Sequence, residues 1–216
     1  MSPWHQIEPF VRLPADVRED LVRAADIHPY PKGTILFQKG ELADVLWILQ
    51  EGWIQLVCRV TPERVLTLDI ATPKDGVFGL SAFGAPTYAS SAVAATSIIA
   101  VRLPAHIVRT LITAHGPFAA SVVKIFSQRF HHVAAAYATA FSPVEQRLAS
   151  VLLRLEEDFG HTLPVTRKQV AELAGTTVET SIRVTNRMRR DRLLLMRRGQ
   201  IALVNPHGLA RKLQAA

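Results

Sequence analysis

The chain has 216 residues, 49% hydrophobic and 20% charged, with a formal net charge of +7. Such a composition excludes a disordered chain, and the length is ample for two domains with separate cores. A lone cysteine, Cys58, excludes an internal disulfide and a four-thiolate iron–sulfur cluster. The start, Met1-Ser-Pro-Trp-His-Gln-Ile-Glu8, lacks the basic and apolar regions of an export signal, so a cytoplasmic protein is expected.

Residues Tyr30–Glu41 and Val45–Leu56 are short apolar runs rich in Ile, Val and Trp. Gly33, Gly40, Gly52, Gly76 and Gly79 punctuate them at spacings typical of an antiparallel barrel or sandwich. Cys58 sits in a predicted strand, Gln55–Arg59, as a small buried apolar residue; a redox thiol is the alternative, with Arg59 its one cationic flank. From Gly76 to Val101 no residue is charged. The run is long enough to span a bilayer, but Gly79, Gly84, Pro86 and many Ser and Thr break it, so two or three buried strands are expected and no membrane.

A long helix follows, over 116–141. Phe118, Val122, Ile125, Phe126, Phe130, Val133, Tyr137 and Phe141 recur at three- and four-residue steps. A helix this apolar needs cover on more than one side. Ala134, Ala135, Ala136, Ala138 and Ala140 would let a second copy approach closely. Val122, Ile125, Phe126, Phe130, Val133 and Tyr137 are therefore the expected dimer contacts, an ordinary core helix being the alternative. Pro143 stops or kinks this helix, and a second domain begins near Glu145.

Residues 166–205 carry the most chemistry. Thr166 with Gln169 is a capping-box spacing, so a helix starts at Arg167. Gly175 supplies the left-handed turn, and a second helix starts near Thr177 with Val184 and Met188 four apart. The Arg197–Gln200 turn between two apolar runs makes a wing. From Arg167 to Arg198 there are nine basic and three acidic residues, a net of +6, whereas residues 1–141 carry a net of +1. A localised basic face on a helix-turn-helix is the footprint of phosphate binding, so double-stranded DNA is the expected partner.

Glu179 and Arg183 share a helical face; Arg donates twice to guanine and a carboxylate accepts from cytosine. Ile182 lies close enough to meet a thymine methyl. Arg167, Lys168, Thr177, Arg187, Arg189, Arg190, Arg197 and Arg198 are placed for phosphates, which set register without reading sequence. Two alternatives remain for Glu179: the acid of a capping box opened by Thr176, or a partner for Arg183.

The run Thr176-Thr-Val-Glu-Thr-Ser-Ile-Arg-Val184 resembles the recognition helix of the Crp/Fnr family of transcription regulators. Family members usually carry a β-branched apolar residue where Ser181 stands and a small one where Ile182 stands. Tyr30–Glu41 and Val45–Leu56 resemble the same family's β-roll. The resemblance implies an α+β chain: a cyclic-nucleotide-binding-type β-roll over 1–115, a dimerisation helix over 116–141 and a winged helix-turn-helix over 142–216. It also implies a homodimer on a palindromic operator, with RNA polymerase as a partner.

Cyclic-AMP-binding members resemble one another in a Phe-Gly-Glu cassette followed by Arg-Ser. Here the run is Phe78-Gly79-Leu80, and Thr87–Ala92, including Ser90 and Ser91, holds no Arg. A buried phosphodiester needs a cation or clustered donors, so a degenerate pocket and nucleotide-independent binding are expected, with no cofactor. Haem is the alternative occupant, with His5, His28, Cys58, His106 and His115 as candidate ligands and a CO- or NO-sensing regulator as the result. A sequence-neutral DNA-binding protein would use the basic helix without the Glu179–Arg183 reader. No P-loop, paired metal-binding His motif or nucleophile elbow supports an enzyme.

Overall fold

Strand β3 (Val45–Glu51) explains the architecture of the N-terminal half. Its residues alternate between two cores: Leu46 and Ile48 enter one, Trp47 and Leu49 the other. Strand β8 (Ile98–Pro104) does the same, with Val101 and Leu103 on one side and Ile98 and Ala100 on the other. A strand buried on both faces reads as a largely apolar run, and this is why the end of the uncharged segment enters β8.

The computed structural model describes residues 4–61 and 64–214; the first residues of the run read for an export signal lie outside it. The remaining strands are β1 (Asp26–Tyr30), β2 (Ile35–Phe37), β4 (Ile54–Thr61), β5 (Arg64–Ala71), β6 (Val77–Phe78) and β7 (Ser91–Ala94). They form two antiparallel sheets, ordered β1-β8-β3-β6 and β2-β7-β4-β5. Helices α1 (Ala15–Ala24), α2 (Ala105–Ala114) and the start of α3 (Gly116–Thr139) close the first core, where Phe10 and Phe118 are fully buried. Burying each such ring contributes about 2–3 kcal/mol. Contacts divide the chain into two compact units, residues 1–58 with 68–132, and residues 59–67 with 133–216.

The β3–β4 turn depends on Gly52. Its φ is +77°, and an added Cβ would lie 2.4 Å from the Ser97 carbonyl oxygen. Backbone cannot yield as a side-chain tip can. Gly52→Ala is expected to lower stability by about 1–3 kcal/mol, read as a fall in denaturation midpoint at constant slope. An unchanged midpoint would show that the turn relaxes freely.

Helix α3 ends at Thr139, two residues short of the expected end. Pro143 disfavours helical geometry just before it, and the Thr139 hydroxyl donates to the Ala135 and Ala136 carbonyls. One face corrects the sequence reading. Val122, expected at a dimer contact, is 5% exposed and lies in the core of its own unit. Ile125 is half-buried against the same core. The outward apolar stripe runs through Val123 (67% exposed), Phe126 (43%), Phe130 (70%), Val133 (53%) and Tyr137 (72%). Their spacing alternates three and four, a heptad seam.

The C-terminal unit is built on α4 (Val144–Phe159), whose Leu148, Leu152 and Leu155 form one buried stripe. Helices α5 (Arg167–Leu173) and α6 (Val178–Arg190) follow, then β10 (Leu194–Arg197) and β11 (Gln200–Leu203). With β9 (Thr162–Leu163) these strands form a three-stranded antiparallel sheet, ordered β10-β11-β9. Helix α7 (Pro206–Gln214) ends the unit.

Candidate nucleic-acid interface

Helix α5 starts as its sequence dictates. The Gln169 amide donates to the Thr166 hydroxyl (3.2 Å), and the Thr166 amide donates to Gln169 Oε1 (2.8 Å), closing the capping box. Gly175 adopts a φ of +59°, and the Thr176 amide then reaches back to the Ala171 carbonyl (3.0 Å). This tight turn delivers the chain to α6. There the N-cap is Thr177, whose hydroxyl accepts from the Thr180 amide (3.2 Å).

That cap settles one alternative. Counted from Thr177, Glu179 is the second helical residue, so no capping box opened by Thr176 involves it. Among the described residues neither Glu179 nor Arg183 has an ion-pair partner. Both side chains are exposed, and Ile182 is half-buried. On the opposite face Ser181, Val184, Thr185 and Met188 are buried. Ser181 sits inside without penalty because its hydroxyl donates to the Arg167 carbonyl (3.4 Å), tying α6 to the start of α5. Thr185 is satisfied by donating to the Ser181 carbonyl (2.7 Å). The helix thus holds its polar readers outward on a fixed base.

The basic residues separate into groups. Arg167, Lys168, Arg197 and Arg198 line one open cleft of about 470 Å3 between the start of α5 and the β10–β11 turn. The cleft brings two expected phosphate-binding segments together. Arg189 and Arg190 are exposed at the end of α6. Arg187 stands 3.7 Å from Glu145 on α4, so part of its charge is offset within the unit. Thr177 commits its hydroxyl oxygen to the cap. Lys212 forms an ion pair with Glu145 (3.1 Å) and donates to Asp191 (3.3 Å), and the pairing with Glu145 holds its pKa above the usual lysine range.

The β-roll positions are equally specific. Phe78 is buried and stacks on Trp47 and Phe37, with ring centroids 5.9 and 6.2 Å apart. Tyr88 stacks on Phe37 at 3.8 Å, accepts from Trp47 Nε1 (3.3 Å) and donates to the Val45 carbonyl (2.6 Å). Burial pushes its phenol pKa up. Gly79 has a φ of +69°, with Trp47, Tyr88 and Phe37 all within 3.4 Å of where a Cβ would stand. Leu80 and Ser90 are half-buried, and the Ser91 hydroxyl accepts from the Lys39 amide (3.0 Å). The cassette positions therefore surround packed aromatic rings. Spacing gave no hint of this, because Phe37, Trp47, Phe78 and Tyr88 come from four separate segments.

The haem candidates fall on separate elements. His5 packs edge-on against Trp4, His28 pairs with Asp26 (2.7 Å), and Cys58 accepts from Lys39 Nζ (3.7 Å). His106 is exposed at the start of α2, and His115 is half-buried after its end. Among the described residues no group of three or more His, Cys, Asp or Glu is placed to hold a metal ion. No helix among them is long and apolar enough to cross a membrane.

Residues 27–115 match the cyclic nucleotide-binding domain, and residues 146–212 match the Crp-like helix-turn-helix domain. The chain belongs to the Crp/Fnr family of transcription regulators. A Crp/Fnr relative from Mycobacterium tuberculosis, a CRP-like cAMP-activated global transcriptional regulator, is 28% identical over 160 residues, covering 70% of this chain and 71% of its own. Among solved Crp/Fnr-like folds, FixK2 from Bradyrhizobium japonicum superposes with a TM-score of 0.81 at 18% identity, over 89% of this chain and 98% of that one. The c-di-GMP responsive regulator CLP from Xanthomonas campestris superposes with a TM-score of 0.71 at 21% identity, over 88% and 99%. These two likenesses are of fold. The family is one of DNA-binding regulators rather than enzymes.

Proposed function

We propose that this Crp/Fnr member is a homodimeric, sequence-specific regulator that reads a palindromic DNA site without a cyclic nucleotide. The observation that carries the reading is the outer face of α6, where Glu179 and Arg183 stand exposed, with no ion-pair partner among the described residues, over a buried stripe. Arg183 takes a guanine edge, Glu179 a cytosine amine, and Ile182 a thymine methyl. Arg167, Lys168, Arg197 and Arg198 in the cleft, with Arg189 and Arg190, hold phosphates; Thr177 and Arg187 contribute at the edge of this set. A packaging protein would need none of the base-reading pair.

Dimerisation is supported by the heptad seam Val123–Phe126–Phe130–Val133–Tyr137, too apolar to stay in water as a continuous stripe. Two copies joined along it present two recognition helices, which suits a two-fold operator. The protein acts in the cytoplasm, with RNA polymerase as the partner that turns occupancy into regulation.

Nucleotide independence rests on Leu80, on the missing Arg between Thr87 and Ala92, and on the stacked rings of Phe37, Trp47, Phe78 and Tyr88 beside them. The Mycobacterium relative is cAMP-activated and the Xanthomonas protein responds to c-di-GMP. A cyclic nucleotide would find here neither the carboxylate nor the Arg of the cyclic-AMP cassette to meet its ribose and phosphate. Haem fits no better: the candidate ligands fall on separate elements, and His28 and Cys58 are each engaged by a neighbour. The test is selection of a binding site from random duplexes, followed by titration with and without cyclic AMP. Equal affinity, within about twofold, is expected. A tenfold gain on adding the nucleotide, or a Soret band in protein expressed with haem precursor, would overturn this part of the reading.

A further inference from the structure

Arg147 on the first turn of α4 reaches in two directions at once. Its Nε donates to the Ala174 carbonyl (2.9 Å), and its Nη2 lies at the outer limit of a bond to the Gly175 carbonyl (3.5 Å). Its Nη1 donates to the carbonyls of Ser142 (3.0 Å) and Ala140 (3.3 Å). Ala140 and Ser142 belong to the short connection after α3. Ala174 is the C-cap of α5, and Gly175 is the turn residue that sets where α6 begins. All five residues lie within the C-terminal unit.

The chemistry favours arginine at this place. Carbonyls at and beyond helix C-termini carry partial negative charge and lack intrahelical donors. A planar guanidinium has five N–H groups in a rigid fork, so one side chain can satisfy both sets. A lysine ammonium is a compact charge on a flexible stem and cannot span two sets in fixed geometry. Arg147 is half-buried, which shields these bonds from competing water.

We propose that Arg147 is a positioning residue that couples the end of α3 to the turn of the helix-turn-helix. Displacing the Ala140 and Ser142 carbonyls then shifts the start of the recognition helix through one guanidinium. The proposal rests on the reading of α6 as the DNA reader, but its central test needs no DNA. Amide hydrogen exchange is measured in the full chain for wild type, Arg147→Gln, Arg147→Lys, Pro143→Gly and the Pro143→Gly double variants. Loosening the connection with Pro143→Gly should raise exchange at Gly175 and Thr176 about tenfold in wild type. In Arg147→Gln the same amides should already exchange faster, with Pro143→Gly adding less than twofold. Arg147→Lys, which keeps the charge and safeguards against a poorly folded Gln variant, should behave like Arg147→Gln.

Equal increments from Pro143→Gly with and without Arg147, or full protection in Arg147→Lys, would overturn the coupling. On DNA, Arg147→Lys should weaken binding about tenfold while the slope of log affinity against log salt stays unchanged, because no phosphate contact is lost. A slope reduced by about one would make Arg147 a phosphate ligand and overturn its role as a link. If wild type selects no site at all, the reading of α6 fails, and the exchange data still decide the link.

Discussion

Arg183→Ala is expected to erase the preference for guanine at one position of each half-site while leaving the fold intact. The fold should survive because the buried stripe of α6 is Ser181, Val184, Thr185 and Met188, and Arg183 stands on the opposite face with no ion pair among the described residues. A bidentate Arg–guanine contact contributes about 1–3 kcal/mol of discrimination, roughly 5- to 150-fold in affinity. Both copies lose the contact, so the effect on a palindrome should be larger than on a half-site. Competition binding against duplexes varied one base at a time checks this. Arg189→Ala is the contrast: it should weaken all sequences alike and reduce the salt slope by about one. Unchanged site selection by Arg183→Ala would remove the base-reading assignment.

Phe130→Glu should give a monomer and cost the palindrome about 100-fold or more in affinity. Phe130 sits at the middle of the exposed heptad seam. In a dimer its substitution loses two buried rings and forces two carboxylates toward each other in an apolar setting. The DNA effect follows from tethering, since a second half-site bound by a linked copy gains about 10²–10⁴ over independent binding. Sedimentation at micromolar concentration measures the first outcome, and titration on one- and two-half-site duplexes the second. Gln128→Glu, an exposed off-seam change on the same helix, should leave both unaltered. A Phe130→Glu protein that remains dimeric would place the interface elsewhere.

The helix-turn-helix was legible because its determinants are local. Thr166 and Gln169 are one turn apart, Gly175 answers to its own φ, and Glu179 and Arg183 share a face by helical period alone. The basic excess of the C-terminal third is a property of composition and needs no coordinates. The Phe78-Gly79-Leu80 run, which carries no carboxylate, is likewise a property of the sequence alone.

The tertiary structure decided what depends on partners far along the chain. Successive residues on a helix point about 100° apart, so one position separates core from surface. Val122 therefore closes its own unit's core while Val123 begins the outward seam, although both are valines. Four rings that no spacing links share one core of the β-roll, because packing is set by which strands pair and not by sequence distance. Arg147 carries no motif either. Its acceptors are backbone carbonyls, which every residue possesses, and only the crossing of α4 with the ends of α3 and α5 selects those four.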